Sequence, residues 1–399
     1  MREGYCNPMS YQIRLNQTLE QLKPSGIRRF FDIACEMDDV ISLSIGEPDF
    51  STPWHIREEG IRSLENGKTW YSPNSGLMKL RETIADYTKI HKGLSYNPGD
   101  EILVTVGGSE AIDLGLRSLI RPGDEVLIPE PSFVCYSPLT EMAGGVPVPI
   151  VTKAEDAFRL TPEALRAAIT PKTRILIMPY PNNPTGGVMR RGHLEEIAAV
   201  LRETDIFVIS DEIYGELTYG DRPHVSFASI AGMQERTMLI SGFSKAFAMT
   251  GWRLGYACGP KALMHQVIKL HQYALMCAPT TAQYAAIEAM ENGDGDVESM
   301  RAEYDIRRRY IVDRLCGMGL TCFEPEGAFY VFPSVAVTGL SSEDFSQRLL
   351  REKCVAVVPG TAFGDSGEGF IRISYCYSLK HITEAMNRLE EFVKENRKV

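Results

Sequence analysis

The stretch Ser241–Arg253 reads SGFSKAFAMTGWR, and its Lys245 stands among Ser, Gly, Ala and Phe with no carboxylate close by in sequence. Lysine is ordinarily a solvated surface residue. Among apolar groups an ammonium is hard to keep charged, so its pKa falls. The neutral amine is then a nucleophile that condenses with carbonyls. Other segments offer complementary chemistry. In VGGSEAID (106–113) two glycines stand between a strand pattern and a helix pattern. Glycine lets a backbone approach a ligand closely, and the free N–H groups of a helix start favour an anion; a plain turn would give the same pattern. Asp211 ends the apolar run DIFVISD, where a carboxylate either caps a structure or holds a ligand's cationic group. Tyr214, three residues on, would face the same side on a helical turn. Asn183 lies in PYPNNPTGG, which turn chemistry alone explains.

A carbonyl compound that also carries a phosphate and a basic ring nitrogen would use all of these groups at once. Pyridoxal 5'-phosphate is that compound. Lys245 would take the aldehyde, the Gly108/Ser109 helix start the phosphate, and Asp211 would face the pyridine nitrogen, favouring its protonated form. Two other motifs fail. Gly67-Lys68-Thr69 resembles the end of a phosphate-binding loop, but the required upstream glycine is Arg62. GFSKA (242–246) resembles a nucleophile elbow but ends in Ala246.

These residues must be carried by a scaffold that brings distant segments together. The middle of the chain alternates short apolar runs with helical patterns: EILVTVGG (101–108), DEVLIPE (124–130), VPVPIV (146–151), TRILIMPY (173–180), DIFVISDE (205–212), TMLISGFS (237–244) and RLGYACGP (253–260). The runs are apolar throughout, as in strands covered on both faces, and helices SEAIDLGLRSLI (109–120) and RGHLEEIAAVLRET (191–204) lie between them. This predicts an α/β fold with a mostly parallel, doubly wound central sheet. Such sheets bind ligands at the carboxyl ends of their strands, where Gly108, Asn183, Asp211 and Lys245 fall. MENGDGDVESM (290–300) reads as a polar break. Beyond it a long charged helix, short strands and a final helix LKHITEAMNRLEEFVKEN (379–396) read as a smaller α+β unit.

The net charge is −10, from 42 basic and 52 acidic residues, without a basic block. That argues against nucleic acid or anionic membrane as a main partner. No apolar run reaches membrane-spanning length and the first residues lack the apolar core of a signal peptide, so a cytoplasmic location is expected. The nine cysteines contain no CxxC pair and read as free thiols; the seven histidines lack metal-site spacing, so no metal is expected.

SGFSKAFAMTGWRLG resembles the lysine motif of the class I aminotransferases, a branch of the fold-type I pyridoxal-phosphate enzymes. PNNPTG (181–186), SDEIY (210–214) and FIRISY (370–375) follow the family's order, and SLSIGEPDFSTP (42–53) and KTWYSPNSGLMKLRETIA (68–85) look like its N-terminal signatures. The resemblance covers nearly the whole chain and is greatest to the bacterial and archaeal aspartate and aromatic aminotransferases. It implies an N-terminal arm and part of the small domain over 1–50, a large cofactor-binding domain over 51–290, and the remainder of the small domain over 291–399. It also implies roles. Lys245 holds the cofactor and, once freed, moves the substrate α-proton; Asp211 pairs with the pyridinium; Asn183 and Tyr214 bond the phenolic oxygen. Phe133 stacks on the ring. Gly108, Ser109, Arg253 and either Ser241 or Ser244 hold the phosphate. Arg372 forks onto the substrate α-carboxylate, aided by the Gly46 N–H and Asn183. Tyr71 crosses a homodimer interface to the partner's phosphate.

The implied reaction moves an amino group from an L-amino acid to a 2-oxo acid. A C–S β-lyase or decarboxylase would use the same scaffold, since the bond broken depends on which one stands perpendicular to the ring. A transcription regulator with an aminotransferase-like domain would need a DNA-binding segment, and no basic extension is present. Some aspartate-preferring relatives carry a lysine directly after the glycine pair. Here Ser109 stands there, which leans the expected substrate toward aromatic or broad neutral amino acids. Arg28 and Arg29 are the alternative source of a cation for a distal carboxylate.

Overall fold

The computed structural model describes residues 14–22, 24, 26, 39–221 and 223–398; Arg28 and Arg29 lie outside them. Seven strands form the central sheet: β2 (Ile102–Thr105), β3 (Glu125–Glu130), β4 (Val146–Val151), β5 (Thr173–Met178), β6 (Phe207–Asp211), β7 (Thr237–Gly242) and β8 (Gly255–Cys258), in spatial order β2-β8-β7-β6-β5-β3-β4. All the apolar runs of the sequence became strands of this one sheet. For the inner strands the unbroken apolarity follows from burial on both faces; the edge strand β4 buries only Ile150 fully. Along β5, Ile175 and Ile177 enter one core with Ile112 and Leu116 of the helix Gly108–Leu119. The alternate Leu176 and Met178 enter another with Leu194 and Ile197 of the helix Arg191–Leu201.

One strand departs from the parallel pattern. β8 runs antiparallel to both β2 and β7, pairing Gly255 with Thr105 on one side and with Gly242 on the other. The start of β8 therefore lies at the edge where the other strands end, and Arg253, two residues before it, arrives beside their carboxyl ends. Glycine is required at this crossing: a Cβ on Gly255 would stand 2.7 Å from the carbonyl carbon of Gly107 and 2.8 Å from the Gly108 nitrogen.

The segments outside this sheet join both ends of the chain. A short β1 (Ile41–Ser42) pairs in parallel with β10 (Val355–Ala356), while β9 (Tyr330–Val331), β12 (Ile371–Ser374) and β11 (Val358–Pro359) form an antiparallel sheet. Leu43 packs in one core with Phe329, Phe345, Ile373 and Leu389. The final helix, Leu379–Asn396, is capped by the Ser378 side chain, which accepts from His381 N, and buries Ile382, Ala385, Met386, Leu389, Phe392 and Val393 at helical spacing. The polar stretch 290–300 is a narrower break than its composition implies. Helices Thr280–Asn292 and Asp294–Gly317 meet across Gly293 alone. Asp294 and Asp296 fall in the first turn of the second helix, where carboxylates favour the N-terminal dipole.

Candidate active site

A cavity of about 350 Å³ opens at the carboxyl edge of the sheet. Its wall contains Gly46, Gly108, Ser109, Phe133, Asn183, Asp211, Tyr214, Ser244, Lys245, Arg253 and Arg372. Segments as far apart as residues 46 and 372 thus meet, as the strand-end argument requires. Two candidates lie elsewhere. Ser241 is buried in β7 and donates to the Glu212 carbonyl at 3.4 Å, so of the two serines it is Ser244 that lines the cavity. β7 alternates faces, and Ser244 falls in the turn after the strand, on the open side. Tyr71 is 78% exposed on the surface of the chain.

Lys245 follows β7. Its Nζ donates to the Gly46 carbonyl at 2.6 Å and lies 5.6 Å from the Phe329 ring centroid and 5.9 Å from that of Tyr214. No carboxylate pairs with it among the described residues. Burial pushes the ammonium down to about 8, and the nearby Arg372 and Arg253 act in the same direction.

Asp211, the last residue of β6, is buried at the cavity wall. Oδ2 accepts from the Tyr136 hydroxyl at 2.8 Å and Oδ1 from the Ile213 N–H at 3.2 Å. Burial raises its pKa, and those two hydrogen bonds offset the rise only in part. A buried carboxylate held by neutral donors alone still has capacity for a cation. Its sequence neighbour differs: Glu212 faces away from the cavity, where His224, Ser210, Ser226 and Lys92 satisfy it. Burial would raise Glu212 too, but His224 and Lys92 pull it down to about 2.

Arg372 on β12 is buried between two rings, with its guanidinium carbon 4.5 Å from the Tyr330 centroid and 4.8 Å from that of Phe363. Nη1 donates to Asn183 Oδ1 at 3.0 Å and Nη2 to the Ser44 carbonyl, while buried Nε has no partner among the described residues. Tyr214 shares a 2.8 Å hydrogen bond with Tyr330, and burial holds its phenol far above the ordinary value, hence protonated.

Pyridoxal phosphate fits these residues. The depressed amine suits its aldehyde, and under-satisfied Asp211 suits a protonated ring nitrogen. Gly107, at φ +77°, opens a cradle at the start of the helix Gly108–Leu119. A Cβ on Gly107 would stand 2.8 Å from Arg253 Nη2, so the guanidinium borders the turn that offers its N–H groups. Arg253 itself sits at φ +55°. Tyr136 and Tyr330 also line the cavity and were not among the sequence candidates. Tyr136 opens the helix Tyr136–Met142 and carries no signal of its own in the sequence; Tyr330, within GAFYVFP, reads only as part of a strand.

The family model for aminotransferase class I and II matches residues 38–389. The chain belongs to this family. The putative aminotransferase YugH of Bacillus subtilis is 50% identical over 95% of this chain and 98% of its own length. An aspartate aminotransferase of Pyrococcus abyssi is 47% identical, with 96% and 99% covered. The crystal structure of an aromatic aminotransferase from Pyrococcus horikoshii superposes with a TM-score of 0.88 at 47% identity, covering 92% of this chain and 99% of that one. The aminotransferase described here is a fold-type I enzyme. It depends on pyridoxal phosphate and transfers an amino group between amino and 2-oxo acids. No observation favours the lyase alternative. No helix among the described residues is long and apolar enough to cross a membrane.

The titration of Lys245 sets a measurable pH dependence. In the cofactor-free protein its reaction with an added aldehyde should rise about tenfold per pH unit up to pH 8 and level off above, because the neutral amine reacts. A rate still climbing at that slope beyond pH 9, as for an ordinary lysine, would show that burial does not depress this amine.

Proposed function

We propose that this aminotransferase acts on aromatic or broad neutral L-amino acids, with Lys245 as the base that moves their α-proton. The observation behind the substrate reading is the set of cations in the cavity wall. Among the described residues these are Lys245, Arg253 and Arg372. The first is assigned to the reacting centre, the second to the phosphate and the third to the α-carboxylate, so none of the described cations remains for a distal carboxylate; Arg28 and Arg29 lie outside the described residues. Ile45, Ile112, Ile213 and Pro181 add apolar surface. The relatives include both aspartate and aromatic aminotransferases, and the lean toward the latter rests on this chain's own residues.

Bound in the cavity, pyridoxal phosphate supplies an aldehyde for the amino group and a protonated ring that withdraws electrons. The protein contributes the rest. Asp211 would keep the ring nitrogen protonated by charge, and Phe133 would cover the ring. Asn183 and Tyr214 would donate to the phenolic oxygen. Gly108, Ser109, Ser244 and Arg253 would hold the phosphate. Arg372, fixed between its two rings, would hold the substrate α-carboxylate and so orient Cα toward Lys245. That amine takes the proton from Cα, and burial, by favouring its neutral form, readies it to do so. Residues 51–290 form the large domain in this reading, and 1–50 with 291–399 the small one. The enzyme is cytoplasmic.

The second part of the proposal is a homodimer in which Tyr71 reaches the partner's phosphate. Its motivation is an exposed aromatic surface: Trp70 is 69% and Tyr273 86% exposed. The segments bearing them are tied together by Asn74 Nδ2 to the Met276 carbonyl at 2.8 Å and Thr280 Oγ1 to the Trp70 carbonyl at 2.9 Å. Apolar surface of this kind marks an interface.

Arg372→Leu should lower kcat/KM for every α-amino acid in a donor panel alike, by roughly 2–5 kcal/mol in transition-state binding. Phe, Tyr and neutral donors should exceed Asp and Glu in the parent enzyme. A loss confined to one side-chain class would move Arg372 to the side-chain pocket, and a strict preference for Asp would refute the substrate reading. For the dimer, Lys245→Ala and Tyr71→Glu should each be nearly inactive. Co-expression should restore about a quarter of the sites by random pairing across a two-fold interface. Mixed dimers that form but stay inactive would rule out the shared site.

A further inference from the structure

The inner face of the helix Lys261–Ala274 buries Leu263, Met264, Val267 and His271. Helical spacing calls for an apolar residue at the last of these positions, yet the chain has an imidazole with no exposure at all. A wholly buried histidine needs a partner. Nδ1 lies 2.6 Å from Glu110 Oε1, which as a carboxylate accepts; Nε2 is buried without a partner among the described residues.

Glu110 is itself placed unusually. It stands in the first turn of the helix Gly108–Leu119, one residue beyond Ser109, and its side chain is only 10% exposed. Its second oxygen, Oε2, accepts the backbone N–H of Val106. The carboxylate therefore ties the residue before Gly107 to the turn after Gly108, with His271 holding it from the neighbouring helix. Thr105 Oγ1 donates to the Gly107 carbonyl at 2.9 Å, closing the same loop from the strand side. Gly107 and Gly108 have no side chain to fix the direction of the N–H groups in this turn. The Glu110 contacts can do so.

We propose that His271 and Glu110 are positioning residues for the cofactor phosphate. Acting together, they set the orientation of the Gly107–Ser109 backbone toward the anion without touching the reacting atoms. The inference rests on the phosphate assignment made above. It also accounts for a carboxylate close to where a phosphate is to sit. Its negative charge would repel the anion, but both oxygens are taken up by donors that face away from the cavity wall, since neither Glu110 nor His271 lines it. A clamp of this kind acts on the phosphate ester and leaves ring binding and proton transfer alone.

The experiment compares the affinities of the cofactor-free protein for pyridoxal phosphate and for pyridoxal, which lacks the phosphate. It uses the parent, His271→Leu, Glu110→Ala and Arg253→Leu. Leucine suits the apolar face at 271, and Glu110→Ala opens the clamp from the other helix should the first variant not fold. Each should weaken pyridoxal phosphate at least about tenfold while changing pyridoxal less than about twofold, and for His271→Leu and Glu110→Ala kcat at saturating cofactor should stay within about twofold of the parent. If Arg253→Leu shifts the ratio of the two affinities and neither His271→Leu nor Glu110→Ala does, the pair is a plain packing contact and this inference is wrong. If Arg253→Leu also leaves the ratio unchanged, the phosphate assignment fails and takes the inference with it. Equal weakening of both ligands by the clamp variants would also overturn it, since that is the mark of general structural damage.

Discussion

Asp211 is buried and Lys245 half-buried at the cavity wall, each without an ion-pair partner among the described residues, and the rest of the molecule is arranged around that desolvation. Removing an isolated charge from water costs several kcal/mol, which proteins normally offset by pairing it. The adjacent residues Asp211 and Glu212 separate the two solutions. Glu212 is surrounded by His224, Lys92 and two serine hydroxyls and is held down to about 2. Asp211, on the opposite face of the strand end, has one tyrosine hydroxyl and one N–H, and burial raises its pKa. The first carboxylate is fully satisfied within the fold; the second keeps capacity for a cation, the place the proposed function gives to the cofactor ring. The Lys245 amine, depressed by burial, is the nucleophilic counterpart.

Such a site needs a scaffold that does not collapse to satisfy it. The sheet supplies the strand ends, and one reversed strand brings a further cation to them. With β8 antiparallel, Arg253 comes to the same edge as Asp211 and Lys245, and Gly255 lets the Gly107–Gly108 turn lie directly on that strand. Arg372 is fixed from the other sheet by two rings and two acceptors, one of which is Asn183. The residue proposed to orient the substrate and one proposed to bond the cofactor are thus mechanically joined. Tyr330 extends this join to Tyr214 through its hydroxyl.

Much of this was legible in the sequence because the signals are local. Apolar runs of strand length gave the seven strands, and the polar residue ending each run named Asp211, Lys245 and the Gly107–Ser109 turn. The direction of β8 was not legible, since RLGYACGP is buried on both faces and its periodicity is the same whichever way it runs. Ser241 and Ser244 could not be separated until the end of β7 fixed which one faces the cavity. Tyr136, Tyr330, Glu110 and His271 were missed for a common reason. Each is marked only by a contact with a residue distant in sequence, and alone each reads as an ordinary core or helix residue. The break at Gly293 was overestimated because acidic residues that cap a helix look the same, by composition, as a polar linker.

The central claim is that the fold holds the Lys245 amine in a place that costs stability. Unfolding of the cofactor-free parent and of cofactor-free Lys245→Met, followed from pH 7 to 10.5, tests it most directly. A lysine whose folded pKa is near 8 and whose ordinary value is 10.5 binds its proton more weakly in the folded state, so its burial destabilises the fold. That cost is complete below pH 8 and fades as the pH rises toward 10.5. The variant should therefore be more stable at pH 7 by about 1–3 kcal/mol, with the difference shrinking between pH 8 and 10.5. A variant of equal or lower stability at pH 7 would contradict the account, because the amine would then sit in its pocket without penalty.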